Sequence, residues 1–157
     1  YELAKEVKLI FENEMSKKNI RCDIIGEHID VCVDKDKMSQ VLNNLISNAV
    51  KYSKDGGSVR IYTLHGSYGI KKNSKEDSLQ LVIEDTGIGI SEEDIPRIME
   101  RGFTGYNGRL DKKSSGIGLY LCRKAADRLG FVITFDASYK NGTRVVIDMT
   151  QRYTKHE

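Results

Sequence analysis

Apolar residues recur through 36–52 at helical spacing. Met38, Leu42, Leu45, Ile46 and Ala49 share one face and predict a helix packed against a core. Residues 2–18 repeat the pattern with Leu3, Val7, Ile10, Phe11 and Met15. Residues 117–129 do so with Leu119, Cys122, Ala126 and Leu129, and Gly130 supplies the stop. Elsewhere the period falls to two. Segments 58–65 (SVRIYTLH) and 79–85 (LQLVIED) predict strands flanking a polar loop, 66–78. Segments 131–137 and 143–149 predict two more, joined through Asn141-Gly142, a hairpin signal. The shorter runs 20–26 and 30–34, with Gly26 and His28 between them, predict a hairpin near a sheet edge. Asp34 and Asp36 are candidate caps for the helix over 36–52, and Asp55-Gly56-Gly57 ends it. Ser91-Glu92-Glu93-Asp94 has capping-box spacing and predicts a short helix that Pro96 keeps from being regular. Hairpin-paired strands with helices gathered on one face give a two-layer α/β sandwich on a mixed, largely antiparallel sheet.

Composition narrows the picture without changing it. The chain has 157 residues, 39% hydrophobic and 31% charged, which suits one soluble globular domain over 1–157. A net charge of +2 gives no reason to expect nucleic acid or a membrane surface as partner. No apolar run approaches a membrane span, and no secretory signal is present. The first residue is Tyr1, so a fragment of a longer protein is expected. Cys22, Cys32 and Cys122 lack metal-ligand spacing and read as reduced thiols, which points to a cytoplasmic setting.

The chemistry lies in four places. Asn44, Asn48 and Lys51 stand at i, i+4 and i+7 on the helix over 36–52, a polar stripe about a quarter turn from the apolar face. Two carboxamides can hold a hard cation or its water through oxygen, and the lysine can meet phosphate; the alternative is a solvated face. Asp85-Thr86-Gly87-Ile88-Gly89-Ile90 follows a strand directly. There an aspartate can accept from an exocyclic amine while glycines admit a flat ligand to the backbone; equally, the string makes a tight turn. Residues 100–115 lack periodicity and hold Gly102, Gly105 and Gly108 among Arg101, Arg109, Lys112 and Lys113, a basic lid. Ser115-Gly116-Ile117-Gly118-Leu119 then opens a helix, either as an anion site or as a flexible N-cap. Neither glycine cluster is a P-loop or a dinucleotide fingerprint.

Taken in this order, the four features resemble the ATP-binding catalytic domain of bacterial two-component sensor histidine kinases, in the GHKL (Bergerat-fold) ATPase superfamily. The resemblance covers essentially the whole chain. NLISNAVKYS is similar to the family's N box, DTGIGI to its first glycine box, GFTG to its F box and SSGIGLYL to its second glycine box. Asn141-Gly142-Thr143 matches a less specific final motif. The resemblance implies that Asn48 holds Mg²⁺ against the phosphates of ATP, with Asn44 and Lys51 on the phosphate side. It places Tyr52 and Ile90 along the nucleotide, Asp85 on the adenine amine, and Gly87 and Gly89 under the base. Gly116, Gly118 and Leu119 would contact phosphate, Thr143 the adenine through water, and Phe103, Arg109 and Lys112 would belong to the lid. The F-box region reads RGFTGYNGR rather than the commoner ERFYR-like string, as in Gram-positive kinases of the antimicrobial-peptide-sensing type.

Related ATPases carry a glutamate four residues before the metal asparagine as general base; here Asn44 occupies that place and cannot take a proton. A histidine acceptor is its own nucleophile, so the resemblance implies a kinase. His28, His65 and His156 lack the setting of a phosphoacceptor. The acceptor is therefore expected on an absent dimerisation domain of the same protein, with a response regulator served indirectly. The implied fragment is soluble and monomeric, and the implied full protein is a membrane-anchored homodimer. A stand-alone ATPase and a nucleotide-binding module without transfer activity stay open as alternatives.

Overall fold

The computed structural model describes residues 1–26, 28–65, 78–105 and 116–150. In chain order these form α1 (Glu2–Ile10), α2 (Glu12–Lys17), β1 (Arg21–Ile25), α3 (Lys35–Tyr52), β2 (Ser58–His65) and β3 (Leu79–Asp85). A 3₁₀ turn (Ile95–Arg97), α4 (Gly118–Leu129), β4 (Val132–Phe135) and β5 (Thr143–Asp148) follow. The sheet order is β1-β2-β3-β5-β4. β1 runs parallel to β2 and every other pairing is antiparallel, so the expected mixed, mostly antiparallel sandwich is present.

One face of the sheet carries the core. Val59, Ile61, Leu81, Ile83, Val145 and Ile147 are buried there against Val7 of α1, Leu42, Leu45 and Ile46 of α3, and Ala126 of α4. Burial of this continuous apolar surface is the main favourable term in folding. Helix α3 lies at the centre, touching α1, α4 and β3. Asp34 caps its start by accepting from the Lys37 N–H at 3.1 Å. At its other end Lys18 Nζ donates to the carbonyls of Val50 (2.9 Å) and Lys51 (3.0 Å), placing a cation at the negative end of the α3 dipole.

Three expectations change. The predicted helix over 2–18 is broken at Phe11, whose φ of −101° and ψ of 9° separate α1 from α2. The predicted hairpin of 20–26 with 30–34 does not form, because residues 28–34 are not a strand. Ile29, Val31 and Val33 alternate as a strand would, but the alternation serves to pack them against the core. β1 pairs instead with β2 through α3, a crossover that parallel strands require. The short helix expected to open at Ser91-Glu92-Glu93-Asp94 is a turn leading into the 3₁₀ geometry of Ile95–Arg97, although Ser91 Oγ does accept from the Asp94 N–H at 3.3 Å. The hairpin expected through Asn141-Gly142 does form, with β4 ending at Phe135 and residues 136–142 as the connection.

Candidate functional site

A cavity of about 260 Å³ opens where α3, the end of β3, the start of α4 and the segment 98–105 meet. Helical spacing brings Asn44, Asn48, Lys51 and Tyr52 of α3 onto one wall. Asp85, Gly89, Ile90 and Thr143 form the wall at the strand ends, and Phe103, Gly116, Gly118 and Leu119 the remaining side. The expected Arg109 and Lys112 lie outside the described residues, as do Ser115 and most of the lid.

Asp85 is the buried charge of the site, 5% exposed. Its Oδ1 accepts the Gly87 N–H at 2.8 Å and the Thr143 N–H at 3.2 Å. Among the described residues its Oδ2 accepts no bond, which leaves one carboxylate oxygen for a ligand donor. Burial outweighs these two bonds and pushes the carboxyl up from 3.8 to about 6.

Gly87 sits behind the cavity wall rather than on it. A Cβ there would stand 2.3 Å from the Tyr52 carbonyl oxygen and 2.9 Å from Asp85 Oδ1. The adjacent Ile88 N–H donates to that Tyr52 carbonyl at 3.2 Å, so the first glycine cluster is stapled to the end of α3. Only glycine permits this approach.

On α3, Asn44 Nδ2 donates to the Gln40 carbonyl one turn back at 3.0 Å, so its amide nitrogen is engaged within the helix. Its oxygen points toward Gly118, where an added Cβ would lie 3.1 Å from Oδ1. The first residue of α4 thus abuts the polar stripe. Asn48 is half-buried, and among the described residues its carboxamide makes no hydrogen bond. Lys51 is exposed, with Nζ 5.2 Å from the centre of the Tyr52 ring. The N-cap residue of α4, Ile117, makes no side-chain cap bond. Gly116, at φ +69°, accepts at its carbonyl from the Gly102 N–H (3.0 Å), which ties together the two stems of the lid segment.

Sequence reasoning missed Ser47 and Asp94 as cavity residues, whereas Thr104 and Gly105, which also line the cavity, belong to the GFTG string. Ser47 lies between two of the expected residues, but Asp94 arrives through packing of the 91–105 segment, and its place in a capping-box string carries no signal for the cavity. Neither described histidine sits on a helix. His28 is exposed beside Glu2 (3.5 Å) and Asp30 (3.6 Å), and His65 ends β2; His156 lies outside the described residues. No helix among the described residues is long and apolar enough to cross a membrane.

Comparison with known proteins bears on this geometry. Residues 33–152 match the family described as Histidine kinase-, DNA gyrase B-, and HSP90-like ATPase. The chain is 34% identical over 141 residues to Sensor protein BceS of Bacillus subtilis, covering 90% of this chain and 39% of that protein. It resembles the nucleotide-free catalytic domain of histidine kinase ThkA with a TM-score of 0.73 and 27% identity, covering 94% and 90% of the two chains. It also resembles ThkA in a complex with response regulator protein TrrA, with a TM-score of 0.70 and 25% identity, covering 94% of this chain and 39% of that one.

Proposed function

Because the chain belongs to the family of histidine kinase-, DNA gyrase B- and HSP90-like ATPases, we propose that it binds Mg-ATP in the cavity and donates the γ-phosphate to a histidine on another domain. One observation carries this reading: a single cavity collects the carboxamide stripe of α3, the Asp85 carboxylate and the glycine-rich start of α4. The adenine amine belongs at the free oxygen of Asp85, the base between Tyr52, Gly89, Ile90 and Thr143, and the phosphates between α3 and the start of α4, where the helix dipole favours negative charge.

The residues present fit a magnesium ion. Asn48 offers an unengaged carboxamide on the cavity wall, and among the described residues no group of three or more His, Cys, Asp and Glu forms a dedicated cage. Magnesium characteristically takes one or two protein oxygens and completes its shell with phosphate and water. Asn48 would hold it, Asn44 Oδ1 and Lys51 would flank the phosphates, and the ion would neutralise phosphate charge as the acceptor approaches. Gly116, Gly118 and Leu119 would position the phosphates, with Phe103, Arg109 and Lys112 in the lid.

Transfer to histidine is better supported than hydrolysis. Asn44 offers no carboxylate to deprotonate water, whereas a neutral imidazole needs positioning and charge neutralisation only. The acceptor would lie on a helical dimerisation domain of the same protein, a reading supported by BceS, of whose length this chain accounts for 39%. A response regulator would then receive the phosphoryl group, as supported by the ThkA complex. The test is incubation of this chain with [γ-³²P]ATP and a separately supplied histidine-bearing dimerisation domain. Label on that domain's histidine, and none on this chain alone, is expected. Stable label on this chain alone, or steady phosphate release without transfer, would overturn the reading.

A further inference from the structure

On the sheet face opposite the helices, Glu84 is 5% exposed even though it is charged. It neighbours Asp85 in sequence and stands in register with Arg60 on one side and Arg144 on the other. Its Oε1 accepts from Arg144 Nε at 2.8 Å and from the Tyr62 hydroxyl, and its Oε2 accepts from Arg60 Nη1 at 3.5 Å. Arg144 spans two carboxylates, since its Nη1 also donates to Asp136 Oδ2 at 3.1 Å. The Tyr139 ring lies 4.3 Å from its guanidinium carbon. Asp136 in turn organises the start of the 136–142 connection by accepting the Ser138 N–H at 2.9 Å.

That connection ends on the floor of the nucleotide cavity. A Cβ on Gly142 would lie 2.0 Å from the Asp85 carbonyl oxygen, so the two backbones are in direct contact. The next residue, Thr143, donates to Asp85 Oδ1. Arg144 therefore fixes, from the far side of the sheet, the strand end that orients the Asp85 carboxylate. Two charge-assisted bonds from one planar guanidinium define position more strictly than a lysine could.

We propose that Arg144, acting through Glu84 and Asp136, is a positioning residue for base recognition by Asp85. The inference rests on the adenine reading above. It distinguishes Arg144 from a residue that only stabilises the sheet, because its effect passes through one carboxylate oxygen and one ligand amine.

The test compares the affinity of the chain for ATP and for purine riboside triphosphate, which has hydrogen where ATP has the 6-amino group. In wild type, ATP binds more tightly; equal binding there would refute the adenine reading itself. In Arg144→Ala, ATP affinity is expected to fall about tenfold, the equivalent of one lost hydrogen bond, while affinity for the purine analogue is unchanged. The pH profile of ATP binding should shift in the same variant. Arg144→Lys should recover part of the discrimination. Glu84→Gln, which keeps the shape of the clamp, should reproduce the loss in weaker form and serves alone if Arg144→Ala fails to fold. Equal losses for both nucleotides, or no loss for either, in folded variants would overturn the proposal.

Discussion

Thr143 donates its backbone N–H to Asp85 Oδ1 at 3.2 Å, across the cross-strand pair that closes the β3–β5 ladder. The bond holds a carboxylate at the bottom of a cavity that is expensive to ionise. The resulting conflict between stability and ligand recognition can be measured.

Asp85→Asn should stabilise the ligand-free chain at neutral pH and abolish tight ATP binding. Burial raises the folded carboxyl from 3.8 to about 6, so the folded state binds the proton more tightly than the unfolded one. The sign follows: this stabilisation is complete below about pH 3.8 and is lost as pH rises through about 6. The loss at pH 7.5 amounts to about 3 kcal/mol. The asparagine oxygen can accept both backbone bonds without ionising, while its NH₂ would oppose the adenine amine donor to donor. Thermal melts at pH 7.5 should rise by several degrees. A variant that melts lower yet binds ATP normally would contradict this.

ATP affinity should weaken on acidification. The amine requires an acceptor, and with the carboxyl at about 6 only about one tenth is ionised at pH 5. Apparent affinity should therefore fall about tenfold between pH 7 and pH 5, and the decline should be absent from Asp85→Asn. Calorimetric titrations across that range, corrected for protonation of ATP, provide the check.

Gly87→Ala should destabilise the fold as well as the site. The new methyl would fall 2.3 Å from the Tyr52 carbonyl and must displace either the end of α3 or the Asp85 turn. Overpacking of this kind costs about 1–3 kcal/mol. A denaturant midpoint unchanged from wild type would contradict this close approach.

The cysteines should divide cleanly. Cys32 is exposed, whereas Cys22 and Cys122 are buried. Burial raises both buried thiols, Cys122 to about 12, so neither presents thiolate. A thiol reagent should modify Cys32 alone in the native chain, and all three cysteines of the sequence in denaturant. Fast native labelling of Cys122 would imply that α4 opens from α3.

Much of this arrangement is local and was readable as sequence. The strands Ser58–His65 and Leu79–Asp85 match their predicted spans residue for residue, and α3 matches within one residue at its start. Asn48, Asp85 and Gly116 each stand in a short string whose order suggests a shared cavity, and they do share one. What was not legible depends on distant partners. Ile29, Val31 and Val33 alternate like a strand, but the choice of β2 as partner for β1 is made by the α3 crossover. Asp94 reaches the cavity only because its segment folds over it. Arg144 falls in the predicted strand 143–149, and nothing in its own neighbourhood announces that it bridges Glu84 and Asp136.

The most direct test of the account is a calorimetric titration of wild type and Asn48→Ala with ATP, with and without Mg²⁺. Magnesium should strengthen binding in wild type, and that gain should disappear in the variant, while metal-free affinity stays within about twofold, since Asn48 makes no other bond among the described residues. A magnesium-dependent gain of equal size in both proteins would remove Asn48 from the phosphate end of the cavity and contradict the central assignment.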